Sequence, residues 1–394
     1  MEVFSILVSN LIYTPLMINI DIISHIFNSD QSYFIFSDHK MKVYEYTYPF
    51  YIKKTPPPNP ISKDDFVTNE LRIAYATART LCSYHLDDKE LYFDIVASLL
   101  SHFNFITKNN DNYLQLIDSR LNRLRDFSKT ARIGELAQGI NYLFVQEVLL
   151  FPYIVDFHLF YKNVYEKVHS GSKTPDFIIL KYDFNESGLF ESKGEAQKSF
   201  KITGKRGKLN EALKQLRIIQ PCVNKLIPCC TRFETNRNDR DSSIHYSIIQ
   251  KRCSLDDDLI SRIFKQHYAS WFYLVGDFER ANILLLNEVI GTLENDEKYE
   301  LGDDDDNNKI YWLKQPLRFE IASGEQKKYL RIYTHFFSNK DFNIGIYKVV
   351  VDNLILERLE REELERTPFD PRSNGNYHRF SDGTVIRLRT DSNN

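Results

Sequence analysis

Between Ser128 and Leu274 the hydrophobic period of the chain switches repeatedly, and the order of those switches restricts the fold more than any other feature. Apolar residues recur at helical spacing over 131–150. Apolar runs of strand length follow over 174–182 and 189–195, with a polar turn over 183–188 between them. A helical pattern at 208–219, strand patterns at 225–233 and 244–252 and a last helical pattern at 256–274 complete the series. A period near 3.6 marks a helix with one buried face, whereas a short continuous apolar run marks a strand buried on both faces. Helices alternating with strands predict an α/β unit over 128–275, a mixed sheet flanked by helices.

The flanking regions are read more coarsely. At 394 residues the chain is long enough for two or three domains. Residues 1–54 carry short β-branched and aromatic runs and are expected to be strand-rich. The tract Thr55-Pro56-Pro57-Pro58-Asn59-Pro60 is expected to be an extended linker. Ser62-Lys63-Asp64-Asp65 has the form of a helix start, and helical patterns over 87–106 and 112–127 make 61–127 a predicted helical subdomain. Residues 276–394 are expected to be an α+β region for recognition or oligomerisation. It would comprise a solvated acidic loop (294–309), strands (317–351), a charged helix (354–366) and a hairpin turn at Asp382-Gly383. The expected class is thus α/β at the core and α+β overall.

Composition removes several alternatives. With 42% hydrophobic and 27% charged residues the chain has enough apolar material for a core, and a net charge of -3 excludes a surface that is basic throughout. Five cysteines without repeated CxxC spacing indicate neither a disulfide framework nor a zinc site, which points to a reducing cytoplasm. The first twenty residues begin with Glu2 and are interrupted by Ser9, Asn10, Thr14, Pro15 and Asn19. They read as core strand and loop instead of a signal peptide. No apolar run is long enough to predict a spanning helix, and no membrane partner is expected.

The chemistry-bearing residues lie on the 174–195 strand pair. Thr174-Pro175-Asp176-Phe177 is followed by Gly188-Leu189-Phe190-Glu191-Ser192-Lys193-Gly194. Strand side chains alternate, so Glu191 and Lys193 share one face and Phe190 and Ser192 the other. A hairpin centred on 183.5 sets Asp176 directly opposite Glu191. Opposed Cβ atoms lie about 4.5 to 5.5 Å apart, close enough for two carboxylates to share a cation. Oxygen ligands of this kind suit Mg²⁺ or Mn²⁺, and an ammonium beside them can orient water or offset charge on a phosphate. A surface hairpin with an ordinary salt bridge is the alternative, but the apolar neighbours Ile178, Ile179, Leu180, Leu189 and Phe190 predict burial. Glu135, on the polar side of the 131–150 helix, is a candidate third carboxylate. Gln215, on the helix after the lysine strand, is a candidate contact for a phosphate or water.

This set, with its order of elements, resembles the PD-(D/E)XK nuclease superfamily over roughly residues 128–253. The resemblance implies a restriction-endonuclease-like core and a metal held by the positions matching Asp176 and Glu191, with the backbone carbonyl of Ser192 contributing. It also implies a catalytic lysine matching Lys193 and a helical glutamate matching Glu135. The segment 151–170, between the Glu135 helix and the Asp176 strand, is long enough to add a strand or helix to the family's pattern.

Downstream, the stretch 193–217 holds eight cations against Glu195 and Glu211. Among them, Lys198, Lys201, Lys205, Arg206 and Lys208 are candidate phosphate contacts around Gly204 and Gly207. The expectation is a Mg²⁺- or Mn²⁺-dependent endonuclease acting on nucleic acid, DNA more than RNA, in a restriction or phage-defence role by analogy with the family. A homo-oligomer or partner protein would engage the C-terminal region. The rival is a catalytically silent nucleic-acid-binding or assembly protein that retains the nuclease fold. No nucleotide-binding glycine motif, GxSxG or HExxH competes.

Overall fold

The computed structural model describes residues 5–8, 38–49, 59–81, 105–165, 174–182, 184–196, 201–217, 223–238, 240–253, 257–274, 277–286, 299–303, 309–313, 317–323, 326–332, 335–336, 343–352, 372–374, 377–382 and 384–391. The chain divides into two compact units. One is Ser37–Val289 with Arg366–Pro368; the other comprises Met1–Phe36, Ile290–Glu365 and Phe369–Asn394. Elements are numbered in chain order, and the first strand, β1 (Ser5–Val8), lies in the second unit.

In the Ser37–Val289 unit, β2 (Asp38–Glu45), β3 (Ile61–Asn69) and α1 (Glu70–Leu81) are followed by β4 (Ile106–Lys108), β5 (Leu114–Leu116) and α2 (Asp118–Leu121). Then come α3 (Asp126–Glu147), β6 (Tyr153–Asp156), α4 (Phe157–Tyr165), β7 (Phe177–Leu180), β8 (Ser187–Glu195) and α5 (Lys208–Leu216). The unit closes with β9 (Lys225–Arg232), β10 (Ser243–Tyr246), β11 (Ile249–Gln250), α6 (Asp257–Leu274) and α7 (Phe278–Leu285). Eight strands form one mixed sheet in the order β3-β2-β10-β9-β8-β7-β6, with β11 on β9. The β8–β9 and β10–β2 pairs are parallel and the others antiparallel. This is the mixed-sheet α+β fold expected.

Burial explains the central position of β7 and β8: every residue of β7 and the first six of β8 are buried. A strand so apolar on both faces needs cover on both. α3 packs on β8 and β9, and its Asn141 meets Ser192, Cys229 and Thr231. α5 packs on the same two strands from the side of Glu195, which pairs with Lys208. Beneath α3, Phe177 stacks on its strand partner Phe190 at 5.9 Å between ring centres, and Tyr142 meets Phe177 edge-on at 6.3 Å.

Several boundaries differ from the sequence reading. The sheet does not begin at 128: β2 and β3, assigned to the N-terminal and helical regions, are two of its strands. The proline tract therefore joins antiparallel neighbours and is not an inter-domain linker. The helix predicted from Ser62 begins at Glu70, because 62–68 pairs with β2 and Asn69 supplies the cap, its Oδ1 accepting the Arg72 N–H at 3.0 Å. The 112–127 stretch splits into β5, α2 and the start of α3; residues 87–104 lie outside the described residues. The 151–170 segment supplies both a strand and a helix, β6 and α4. Cys253 is disulfide-bonded, against the reading of cysteines kept reduced, and its partner lies outside the described residues; Cys229 and Cys230 are free and buried.

The second unit holds two antiparallel sheets. One has the order β1-β14-β15-β16, with β14 (Leu317–Ser323), β15 (Gln326–Ile332) and β16 (His335–Phe336). The other is β12-β13-β17-β20-β19-β18, built from β12 (Tyr299–Asp303), β13 (Lys309–Leu313), β17 (Asn343–Asp352), β18 (Arg372–Asn374), β19 (Tyr377–Arg379) and β20 (Thr384–Asp391). Part of the acidic stretch expected as a loop is thus strand, since Tyr299 to Asp303 pair with Leu313 to Lys309. The predicted helix over 354–366 lies outside the described residues. Among the described residues no helix is long and apolar enough to cross a membrane.

Candidate functional site

The register of β7 and β8 decides what meets at their open end. Phe177 pairs with Phe190, Ile178 with Leu189 and Ile179 with Gly188, so the next step along both strands opposes Asp176 and Glu191. Their side chains also cap each other's backbone. Glu191 Oε2 accepts the Asp176 N–H at 3.0 Å, and Asp176 Oδ2 accepts the Ser192 N–H at 2.7 Å. The Lys193 ammonium donates to Glu191 Oε1. Asp176, Glu191 and Lys193 are thus joined by hydrogen bonds on rigid strands.

The trio carries two carboxyls and one ammonium where water is scarce. Glu191 has no exposed surface. Burial pushes its carboxyl up to about 8, the neighbouring Asp176 adds to the rise, and Lys193 opposes it. Asp176 is raised to about 6, first by burial and further by the charge of Asp156, with Lys193 and the Ser192 N–H pulling the other way. One negative charge too many sits in a dry place, which raises both carboxyls and favours a proton shared by the pair. A divalent cation fits that deficit. Its ligands would be Asp176, Glu191 and the Ser192 carbonyl, with water for the remainder, as Mg²⁺ ordinarily takes.

Comparison with family models, curated proteins and solved structures finds no match to this chain.

The other predicted residues are placed unevenly. Glu135 lies on α3 and pairs with Arg132 at 2.9 Å. Neither raised carboxyl draws on it, and among the described residues no group of three or more His, Cys, Asp or Glu is arranged to hold a metal ion. The expected third carboxylate is therefore not assembled with the other two, because α3 covers the face of β8 that bears Ser192 and Gly194, opposite to Glu191 and Lys193. Gln215 does reach the site's edge, where its Nε2 lies 3.5 Å from the Thr174 carbonyl, two residues before Asp176.

In the basic segment Lys201, Lys205 and Arg206 are exposed, on a turn that needs Gly204 for its positive φ of 97°. Lys208 is engaged with acids, 3.6 Å from Glu195 and 3.4 Å from Glu211, and is not a free phosphate contact; Lys198 lies outside the described residues.

Two residues of the site escaped the sequence reading. Asp156, at the end of β6, is a half-buried acid whose own carboxyl is raised by burial and which caps α4 by accepting the Leu159 N–H at 2.8 Å. An acid closing the apolar run Tyr153-Ile154-Val155 was its only signal. Asn141, fully buried on α3, donates to Ser192 Oγ at 2.8 Å and accepts from Thr231 Oγ1 at 2.6 Å and Cys229 Sγ at 3.3 Å. It is the one amide within the apolar run from Ile140 to Val145.

Proposed function

We propose that the Ser37–Val289 unit is a metal-dependent nuclease of the PD-(D/E)XK kind, hydrolysing phosphodiester bonds of nucleic acid, with DNA favoured by analogy with that superfamily. The observation that carries the reading is the mutually hydrogen-bonded trio of Asp176, Glu191 and Lys193, Glu191 fully buried and the other two half-buried, at the end of the β7–β8 pair. Asp176 and Glu191, with the Ser192 carbonyl, would hold Mg²⁺ or Mn²⁺. A cation bound there supplies Lewis acidity and a more acidic water. Lys193 keeps an ammonium beside Glu191, where it orients a nucleophilic water and offsets charge growing on the phosphate. Gln215 guards the Thr174 edge, and the exposed Lys201, Lys205 and Arg206 give the strand of substrate a cationic path after β8.

The test is incubation of the purified protein with linear, circular and single-stranded DNA and with RNA, each with EDTA, Mg²⁺ or Mn²⁺. Cleavage that requires the metal and is lost in Asp176→Asn is expected. If no substrate is cut with either metal, the silent binding protein becomes the better reading.

A further inference from the structure

The corner between α2 and α3 is unusual in two respects that reinforce each other. Phe127 is 86% exposed, more than any other exposed large hydrophobic residue described. Around it, residues 118–131 carry Arg120, Arg123, Arg125 and Lys129 against only Asp118 and Asp126. Arg123 and Arg125 are exposed. Asp118 is already engaged by Arg237, whose Nε lies 2.8 Å from its carboxylate, so the acid does little to lower the local positive charge. A phenyl ring left in water forgoes the stabilisation that burial would return, and contributes nothing to the core.

Phe127 lies on α3, the helix that backs the candidate strand on the face opposite to Glu191 and Lys193. A Cβ on Gly194, the residue after Lys193, would lie 2.7 Å from the Ile133 carbonyl oxygen and 2.6 Å from the Ala137 Cβ, so α3 abuts β8 there. Phe127 precedes Ile133 by six residues on the same helix, about 9 Å along its axis.

We infer that this corner binds a stretch of nucleic acid with unpaired bases, one base stacking on Phe127 and the adjoining phosphates meeting Arg123, Arg125 and Lys129. Every base has a π-face, so an isolated aromatic ring among cations holds single strands without regard to sequence, whereas bases within a duplex already spend those faces on one another. The choice of nucleic acid over a lipid surface rests on the nuclease reading of the trio. The substrate class that follows is single-stranded, flapped or frayed nucleic acid instead of uninterrupted duplex.

Binding is measured by fluorescence anisotropy in EDTA, so that no cleavage is required. The probes are a labelled oligothymidylate of about 12 nucleotides, within the span that single-strand sites cover, its duplex, and vesicles of phosphatidylcholine with phosphatidylserine. Phe127→Ala should weaken oligothymidylate binding by about 5- to 100-fold, leave duplex binding and the salt slope unchanged, and melt at the wild-type temperature, with Phe127→Trp restoring affinity. Arg123→Ala with Arg125→Ala should lower the single-strand salt slope by about 1.4. Unchanged binding in Phe127→Ala, equal loss on single strand and duplex, or Phe127-dependent binding to vesicles alone would each overturn the inference. A wild type that binds as described but cuts nothing retires the nuclease reading and leaves this surface standing. A wild type that cuts, with Phe127→Ala binding single strands equally well, retires this surface alone.

Discussion

Glu191 couples the chemistry of the site to the stability of the protein. Its folded pKa is raised above the ordinary glutamate value, to about 8, so the folded state holds a proton that the unfolded chain releases. Linkage then fixes the sign. Without metal, stability is fully present below the unfolded pKa near 4.5 and falls as pH rises through about 8, by at most about 1.4 kcal/mol per pH unit from this group. Denaturant unfolding in EDTA at pH 5 and pH 8 should show the fall, Mn²⁺ should reverse it at pH 8 far more than at pH 5, and Glu191→Gln should flatten it. A flat wild-type profile would rule out the buried proton. For Lys193, substitution by Ala should leave nucleic-acid affinity nearly intact and lower the cleavage rate by about 10² or more, with poor rescue by Arg, whose planar guanidinium replaces a compact ammonium. Single-turnover kinetics separate the two effects. The placement of this trio was legible in the sequence because strand side chains alternate strictly and the turn is short: pairing about 183.5 follows from the two apolar runs, and the observed register of Phe177 with Phe190 has that centre.

At the scale of elements, the contact between α3 and β8 decides how firmly the trio is held. Asn141 ties the helix to Ser192 on β8 and to Cys229 and Thr231 on β9, clamping from behind the residue that separates Glu191 from Lys193. Asn141→Ala should destabilise the fold by about 1 to 3 kcal/mol, since buried hydroxyls lose their partner. It should also weaken Mn²⁺ binding in calorimetry at a temperature where the variant remains folded; undiminished metal affinity would reduce Asn141 to packing alone. Such a clamp could not be read from the sequence, because an isolated amide in an apolar helical stripe carries no mark of what faces it. The β3 strand failed for a related reason: Ser62-Lys63-Asp64-Asp65 has good local helix-start chemistry, yet pairing with β2 from Asp38 to Glu45 prevails over it. Glu135 erred through the helix phase. Its polar position was read correctly, but the face of β8 on which α3 lands depends on Gly194, where no side chain fits between the strand and Ile133.

For the whole molecule, the division into two units makes a prediction about truncation. The eight-stranded sheet and the candidate site lie entirely within Ser37–Val289. A fragment spanning residues 37–289 should therefore unfold in one cooperative transition and keep the Mn²⁺ response of the full chain, as followed by circular dichroism. A fragment that never folds would show that the second unit completes the first. The second unit was the least legible part, since its N-terminal strand finds its neighbour far away in the chain.

That pairing, β1 with β14, joins Ser5 to Ala322 and Val8 to Phe319. During synthesis a strand at residues 5–8 must wait for its partner at residues 319–322. All of the 37–289 unit is synthesised between them, and domains generally fold as they appear, at about 5 to 20 residues per second. The candidate catalytic trio is thus complete while the opening strand still lacks its neighbour.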